Sequence, residues 1–251
     1  FAAAAWYHNR IADKPPLEGF LADARNFAKG RYAAALQQGN NLSEDERRAV
    51  AAEAARFTGL TPEYFLANDL RVDPSRFRKE LLRNEGRIIG RLDTRFTGSA
   101  PDRAADSADY DPQDTAISGA WIAMINDYLF RDLGYKTPLS YRPSNPGVFP
   151  LWDWKHKTDG GFPQMAADTS VDLAAAMREN PNLKLLSVNG LYDLATPFAG
   201  AEYDIGHMQL GPVELRNIRY TYYPAGHMMY LDPASARQLK ADLASFYASA
   251  M

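Results

Sequence analysis

Leu183-Lys184-Leu185-Leu186-Ser187-Val188-Asn189-Gly190-Leu191-Tyr192-Asp193-Leu194-Ala195-Thr196-Pro197 and Ile218-Arg219-Tyr220-Thr221-Tyr222-Tyr223-Pro224-Ala225-Gly226-His227-Met228-Met229-Tyr230 are the stretches on which the fold turns. Each opens with a run rich in aliphatic, β-branched or aromatic residues, Leu183 to Val188 and Ile218 to Tyr223, that reads as a strand and ends at a glycine-bearing loop. Helical patterns flank them, over Met165 to Glu179, Pro197 to Met208 and Pro233 to Tyr247. Helix, strand, loop and helix in alternation is the grammar of a parallel α/β sheet. Parallel strands are buried on both faces and need neighbours, so further strands are expected from an upstream segment or a partner.

Upstream the chain changes character. Leu17 to Leu36, Ser43 to Phe57, Pro62 to Asn68, Pro74 to Arg83 and Ile117 to Leu133 read as helices, and strands are expected to be few. Ser43 followed by Glu46 is a capping box, and Asp73 before Pro74 is an N-cap with proline at the first helical position. Gly59 and Gly134 stand where helix ends favour a left-handed residue. The proline-rich passage Pro138 to Pro150 divides a mainly helical part, 1–140, from an α/β part, 141–251.

Bulk properties exclude several classes. With 251 residues, 46% of them hydrophobic, the chain can bury a substantial core. A formal net charge of -3 gives no global attraction for nucleic acid or anionic membrane. No apolar run approaches the ~18 residues of a bilayer span. Without cysteine, thiol catalysis, disulfides and thiolate metal sites are excluded for this chain. Lys79, Arg83, Arg87, Arg91 and Arg95 recur every four positions, but Gly86 and Gly90 are expected to break the helix. A solvated face paired with Glu80, Glu85 and Asp93 is therefore expected rather than a nucleic-acid site. His8, His156 and His207 lack partners at metal-ligand spacing, so neither a metal nor another cofactor is expected. Trp6, Trp121, Trp152 and Trp154 are expected mostly in core packing.

In parallel α/β proteins function collects past the carboxyl ends of strands, where these loops present Asp193 and His227. Gly190 and Gly226 are expected to let the backbone turn sharply there. An activated serine needs an imidazole to take its proton and a carboxylate on the other ring nitrogen. Acid before histidine, with both after the nucleophile, is the α/β-hydrolase order. Each residue alone has an ordinary structural role, the aspartate as a helix cap and the histidine as a buried donor to backbone. On consecutive strand ends they read together as a catalytic pair.

Gly226-His227-Met228 resembles the histidine loop of serine carboxypeptidases, and Gly190-Leu191-Tyr192-Asp193 with Thr196-Pro197 resembles the acid loop of their bacterial relatives. Trp152-Asp153-Trp154, the tail from His227 through Leu231-Asp232-Pro233, and the opening Ala5-Trp6-Tyr7-His8 ahead of a helical insertion are similar too. The resemblance is strongest over 180–251. It implies the C-terminal part of an α/β-hydrolase fold, a mostly parallel sheet with a helical cap insertion. It further implies a carboxypeptidase-like serine exopeptidase that cleaves a peptide substrate through an acyl-enzyme, placed in the periplasm or secreted. In that reading Asp193 and His227 are catalytic, and Met228 and Tyr192 bind substrate.

Two departures qualify the likeness. Eukaryotic members carry cysteine near the acid loop, which this chain lacks, and Thr196-Pro197 also occurs in proline iminopeptidase and tripeptidyl-aminopeptidase-like hydrolases. No Gly-x-Ser-x-Gly elbow is present; Ser118 comes closest but starts a helix after a loop. The serine is expected in an N-terminal segment upstream of Phe1. The alternative from another class is a non-catalytic binding or assembly subunit of hydrolase-like shape.

Overall fold

The computed structural model describes residues 1–157, 161–162, 164–165 and 167–250. Its first part is helical: α1 (Ala2–Tyr7), α2 (Leu17–Phe27) running through a π-helical stretch (Ala28–Tyr32) into α3 (Ala33–Gln38), α4 (Glu44–Thr58), α5 (Pro62–Ala67) and α6 (Pro74–Glu80). A short hairpin follows, β1 (Arg87–Ile89) and β2 (Thr97–Ser99), and then α7 (Pro112–Asp127). The remainder runs α8 (Ser170–Glu179), β3 (Leu185–Gly190), α9 (Phe198–Gly206), α10 (Pro212–Leu215), β4 (Ile218–Tyr223) and α11 (Pro233–Ala248).

The local signals act as expected at most helix ends. Ser43 Oγ accepts from Glu46 N at 3.2 Å, and Asp73 Oδ1 accepts from Ser75 N at 2.8 Å and Arg76 N at 3.1 Å. Gly59 and Gly134 adopt φ of +68° and +61°, the left-handed conformation that ends a helix cheaply only at glycine. Helix α7 starts earlier than Ile117, because Asp111 caps it at Gln113 N and Pro112 occupies its first turn.

β3 and β4 are parallel, in register from Leu185 opposite Ile218 to Gly190 opposite Tyr223. The chain is therefore a mixed α/β protein. Among the residues of these two strands only Asn189, Gly190 and Tyr223 are buried, unlike a parallel strand covered on both faces. β1 and β2 pair antiparallel, Ile88 opposite Gly98. Strands of three residues carry too little alternation to be read in advance.

The largest apolar cluster joins α1, α3, α4, α5, α6 and β1 through Val50, Ala54, Phe65, Phe77 and Ile89, and it takes in Leu194 from the loop after β3. A second cluster sets Phe20, Leu21 and Phe57 against Tyr192 of the same loop. Burial of apolar surface at ~25 cal/mol per Å² thus ties the helical part directly to the loop bearing Asp193.

Two expectations are corrected. The basic series does not form a solvated face: Lys79 is fully buried, its ammonium donating to the Asp102 carbonyl and lying 3.6 Å from Asp109 Oδ2. Arg83 does pair with Glu80, at 2.5 Å, and the chain breaks into the hairpin at Gly86. The tryptophans are not mainly core: Trp121, Trp152 and Trp154 are all exposed, and only Trp6 is half-buried, donating Nε1–H to Pro15 O at 2.7 Å. For Trp121 the cause lies in α7, where apolar residues point to every side and give no single stripe to bury.

Glu202 on α9 links both parts. It accepts from Arg25 Nη2 of α2 at 3.0 Å and from Tyr222 Oη of β4 at 2.9 Å. Burial acts to raise its pKa, but these hydrogen bonds outweigh burial and hold it below the ordinary glutamate range. Burial and the bond to Glu202 push Tyr222 up to about 12. A depressed folded pKa stabilises above the unfolded value of about 4.3, and that stability fades as pH falls through the folded value. Melting followed by circular dichroism should therefore show the wild-type midpoint falling more than that of Glu202→Gln between roughly pH 5 and 3. Equal falls would remove Glu202 from the account.

Candidate active site

Past Gly190 and Tyr223 the two chains stay side by side, with Leu191 N donating to Tyr223 O and Tyr192 N to Ala225 O, each at 3.0 Å. This carries Asp193 and His227 to one place. Asp193 is buried, and all its acceptor capacity is engaged. Its Oδ1 accepts from Ala195 N at 2.6 Å and Thr196 N at 3.0 Å; its Oδ2 accepts from Thr196 Oγ1 at 2.8 Å and lies 2.9 Å from His227 Nδ1.

The ionised carboxylate can only accept, so the proton between them resides on His227 Nδ1. The opposite ring nitrogen, Nε2, then carries the lone pair, on a side chain that is 41% exposed. A fixed tautomer with an accessible basic nitrogen is what proton abstraction requires.

A third strand of chain, Gly90 to Arg95, clamps both loops. Leu92 O accepts from His227 N at 2.7 Å, Arg91 O accepts from Leu194 N at 3.0 Å, and Thr94 N donates to Tyr192 O at 2.9 Å. Asp93 is buried and paired with Arg95, whose Nη2 approaches Oδ2 at 2.7 Å while Nη1 donates to Pro224 O at 2.8 Å. Burial works to lower the Arg95 pKa, but Asp93 outweighs it and the guanidinium is held above its usual value. Asp111 Oδ2 anchors the clamp from below, accepting from Arg91 N at 3.0 Å and Leu92 N at 2.9 Å. His8 donates Nε2–H to Thr94 O at 2.7 Å, and burial, outweighing that bond, pushes its pKa down.

The glycines act differently from the expected sharp turns, since neither Gly190 nor Gly226 has a positive φ. Their value is close approach. A Cβ on Gly190 would stand 2.7 Å from Ala225 O, and one on Gly226 would stand 2.7 Å from Asp93 Cγ.

Asp193 and His227 are thus brought together from the expected set. Tyr192 is buried rather than open, its ring edge-on to Tyr7 at 5.5 Å and beneath the Arg95 guanidinium at 5.1 Å. Met228 is half-buried next to His227. Ser118 points elsewhere, donating to Asp114 Oδ1 at 2.7 Å, and among the described residues no serine hydroxyl bonds to His227. His156 lies 2.9 Å from Asp172, His207 bonds Tyr203 O at 2.6 Å, and no group of three His, Cys, Asp or Glu capable of holding a metal occurs among the described residues.

The clamp was hidden because Asp93 and Arg95 sit in a charge-rich run. The available signal was Gly90 and Asp93 flanking the apolar Leu92, a pattern of close packing rather than surface. Removing the guanidinium leaves Asp93 buried and unpaired, so Arg95→Met should cost roughly 2–4 kcal/mol in urea unfolding, less than a fully buried pair because Arg95 is partly exposed. Gly226→Ala should cost about 1–3 kcal/mol by overpacking.

Comparison with known proteins finds no matching family model, no matching curated protein and no matching solved structure, so the reading of this site rests on its own geometry.

Proposed function

We propose that the chain supplies the acid and base of a serine-type exopeptidase of carboxypeptidase kind, acting with a serine from an upstream segment. The observation that carries this reading is the 2.9 Å contact of Asp193 Oδ2 with His227 Nδ1 at the ends of adjacent parallel strands. In the proposed cycle His227 Nε2 takes the serine proton as Oγ attacks the peptide carbonyl carbon. Asp193 stabilises the imidazolium so formed, and His227 then protonates the departing amine as the C–N bond breaks. Water hydrolyses the acyl-enzyme by the same proton route in reverse. Met228, adjoining His227, would contact the departing residue, and Tyr192 would act by holding the acid loop. Extracytoplasmic placement belongs to the same proposal.

A second reading, a hydrolase-shaped binding or assembly subunit, draws on the fact that no described serine meets His227. The coding sequence upstream of Phe1 separates them: an in-frame Gly-x-Ser-x-Gly supports the enzyme. In a protein joining both segments, His227→Ala should lower kcat on N-blocked dipeptides by roughly 10⁴-fold or more, with an unchanged far-ultraviolet dichroism spectrum. Wild-type turnover in that variant would end the hydrolase assignment.

A further inference from the structure

The Thr196 side chain stands between the two members of the pair and has no other duty. It precedes α9, where a threonine hydroxyl would ordinarily cap the helix, but Pro197 holds the cap position and no side chain bonds that end. The residue is exposed, so water could satisfy its hydroxyl. The hydroxyl instead turns inward. Oγ1 donates to Asp193 Oδ2 at 2.8 Å and lies 3.2 Å from His227 Nδ1, while Oδ2 itself lies 2.9 Å from Nδ1. These contacts close a triangle with the imidazole N–H at one corner.

His227 needs that support. Its side chain is 41% exposed, so packing alone does not hold the ring, and among the described residues the ring hydrogen-bonds only to Asp193 Oδ2 and Thr196 Oγ1. A ring tied through a single acceptor can swing about the N–H···O line. A second acceptor 2.8 Å from the first fixes its tilt as well. Oγ1 can accept from the imidazole because its one hydrogen is spent on Oδ2. The far nitrogen, Nε2, moves with the ring, and a misplacement of about 1 Å in a reacting group can cost roughly 100-fold in rate.

We propose that Thr196 is a positioning residue for His227: its hydroxyl receives the Nδ1–H jointly with Asp193 and so holds the imidazole in the orientation that presents Nε2. Asp193 supplies the charge, and Thr196 supplies the second point of attachment. The effect on turnover rests on the hydrolase reading above. The effect on the ring does not, because these contacts exist without substrate.

The test is NMR of the full chain carrying isotope-labelled histidine, at a pH where the ring is neutral. In the wild type Nδ1 is expected as the protonated nitrogen and Nε2 as the bare one, with the Nδ1 proton exchanging slowly with water. Thr196→Val keeps the side-chain shape and removes the hydroxyl, and it should speed that exchange by roughly tenfold, the weight of one lost hydrogen bond. Thr196→Ser should restore the wild-type rate, and Thr196→Ala repeats the test if the valine variant does not fold. The amide of Ala195, which donates to the other carboxylate oxygen, reports on the loop itself and should exchange as in the wild type. In a protein joining both segments, Thr196→Val should lower kcat about tenfold with KM unchanged, and Thr196→Ser should recover it. Wild-type exchange of the Nδ1 proton in Thr196→Val overturns the proposal, as does a serine variant that fails to restore it, an equal rise at the Ala195 amide, or a wild-type proton found on Nε2. Unaltered kcat in an active Thr196→Val protein overturns it too. Absence of turnover in the joined wild type, beside the expected ring behaviour, would end the hydrolase reading alone and leave the hold of Thr196 on His227 supported.

Discussion

The carboxylate of Asp93 is buried, and the guanidinium of Arg95 neutralises it in a bidentate geometry while reaching on to Pro224 O. An isolated charge could not be kept there, since burying an unpaired carboxylate costs several kcal/mol. Held together, the two residues pin the segment Gly90 to Arg95 between the loop after β3 and the loop after β4. The segment satisfies the amides of Leu194 and His227, which lie beyond the β3–β4 ladder and would otherwise lack backbone partners. The pair at the strand ends therefore depends on a piece of the helical part. β3 and β4 supply direction, and the clamp supplies position.

Gly190 and Gly226 belong to the same constraint. The loops and the clamp approach so closely that a methyl group at either glycine would meet backbone or the Asp93 side chain. Packing of this density transmits displacement instead of absorbing it. Tyr192 and Leu194 extend the connection, since both are buried in clusters built mainly from the first six helices. A division of the chain at the proline-rich passage describes composition well, but the contacts that set Asp193 cross it.

What was legible in advance follows from range. Helix caps at Ser43 and Asp73 and the left-handed glycines at 59 and 134 are settled by neighbours a few residues away, and they are found where the residue types put them. The strands over Ile218–Tyr223 and Leu185–Gly190 carry enough β-favouring side chains to be read, although the second was expected two residues earlier, over Leu183 to Val188. The His227–Asp193 meeting was legible as a juxtaposition of strand ends. The clamp was not, because the bond from His227 N to Leu92 O spans most of the chain and no local pattern announces it. Lys79 shows the same limit. Its spacing matches a surface stripe, while its burial is decided by the carbonyl of Asp102 and the carboxylate of Asp109 folding over it.

The arrangement around Asp193 also removes an apparent choice between two roles. Its Oδ1 turns back onto the amides of Ala195 and Thr196 as a cap, and its Oδ2 faces His227. These are not alternatives, because the cap holds the carboxylate plane that the imidazole needs. Two backbone amides and the Thr196 hydroxyl compensate the desolvation of the buried oxygens, so the charge can be kept beside the histidine in a dry setting. In such a setting a fixed dipole or charge acts more strongly than in water and needs no reorganisation when the neighbouring ring gains a proton. The threonine has a further consequence: with its hydrogen committed to Oδ2, its oxygen stands 3.2 Å from Nδ1 as a second acceptor, so the imidazole N–H is shared between Asp193 Oδ2 and Thr196 Oγ1 and stays on Nδ1. The tautomer of His227 is thereby set by two side chains, Asp193 and Thr196, and the basic nitrogen is left on a partly exposed ring.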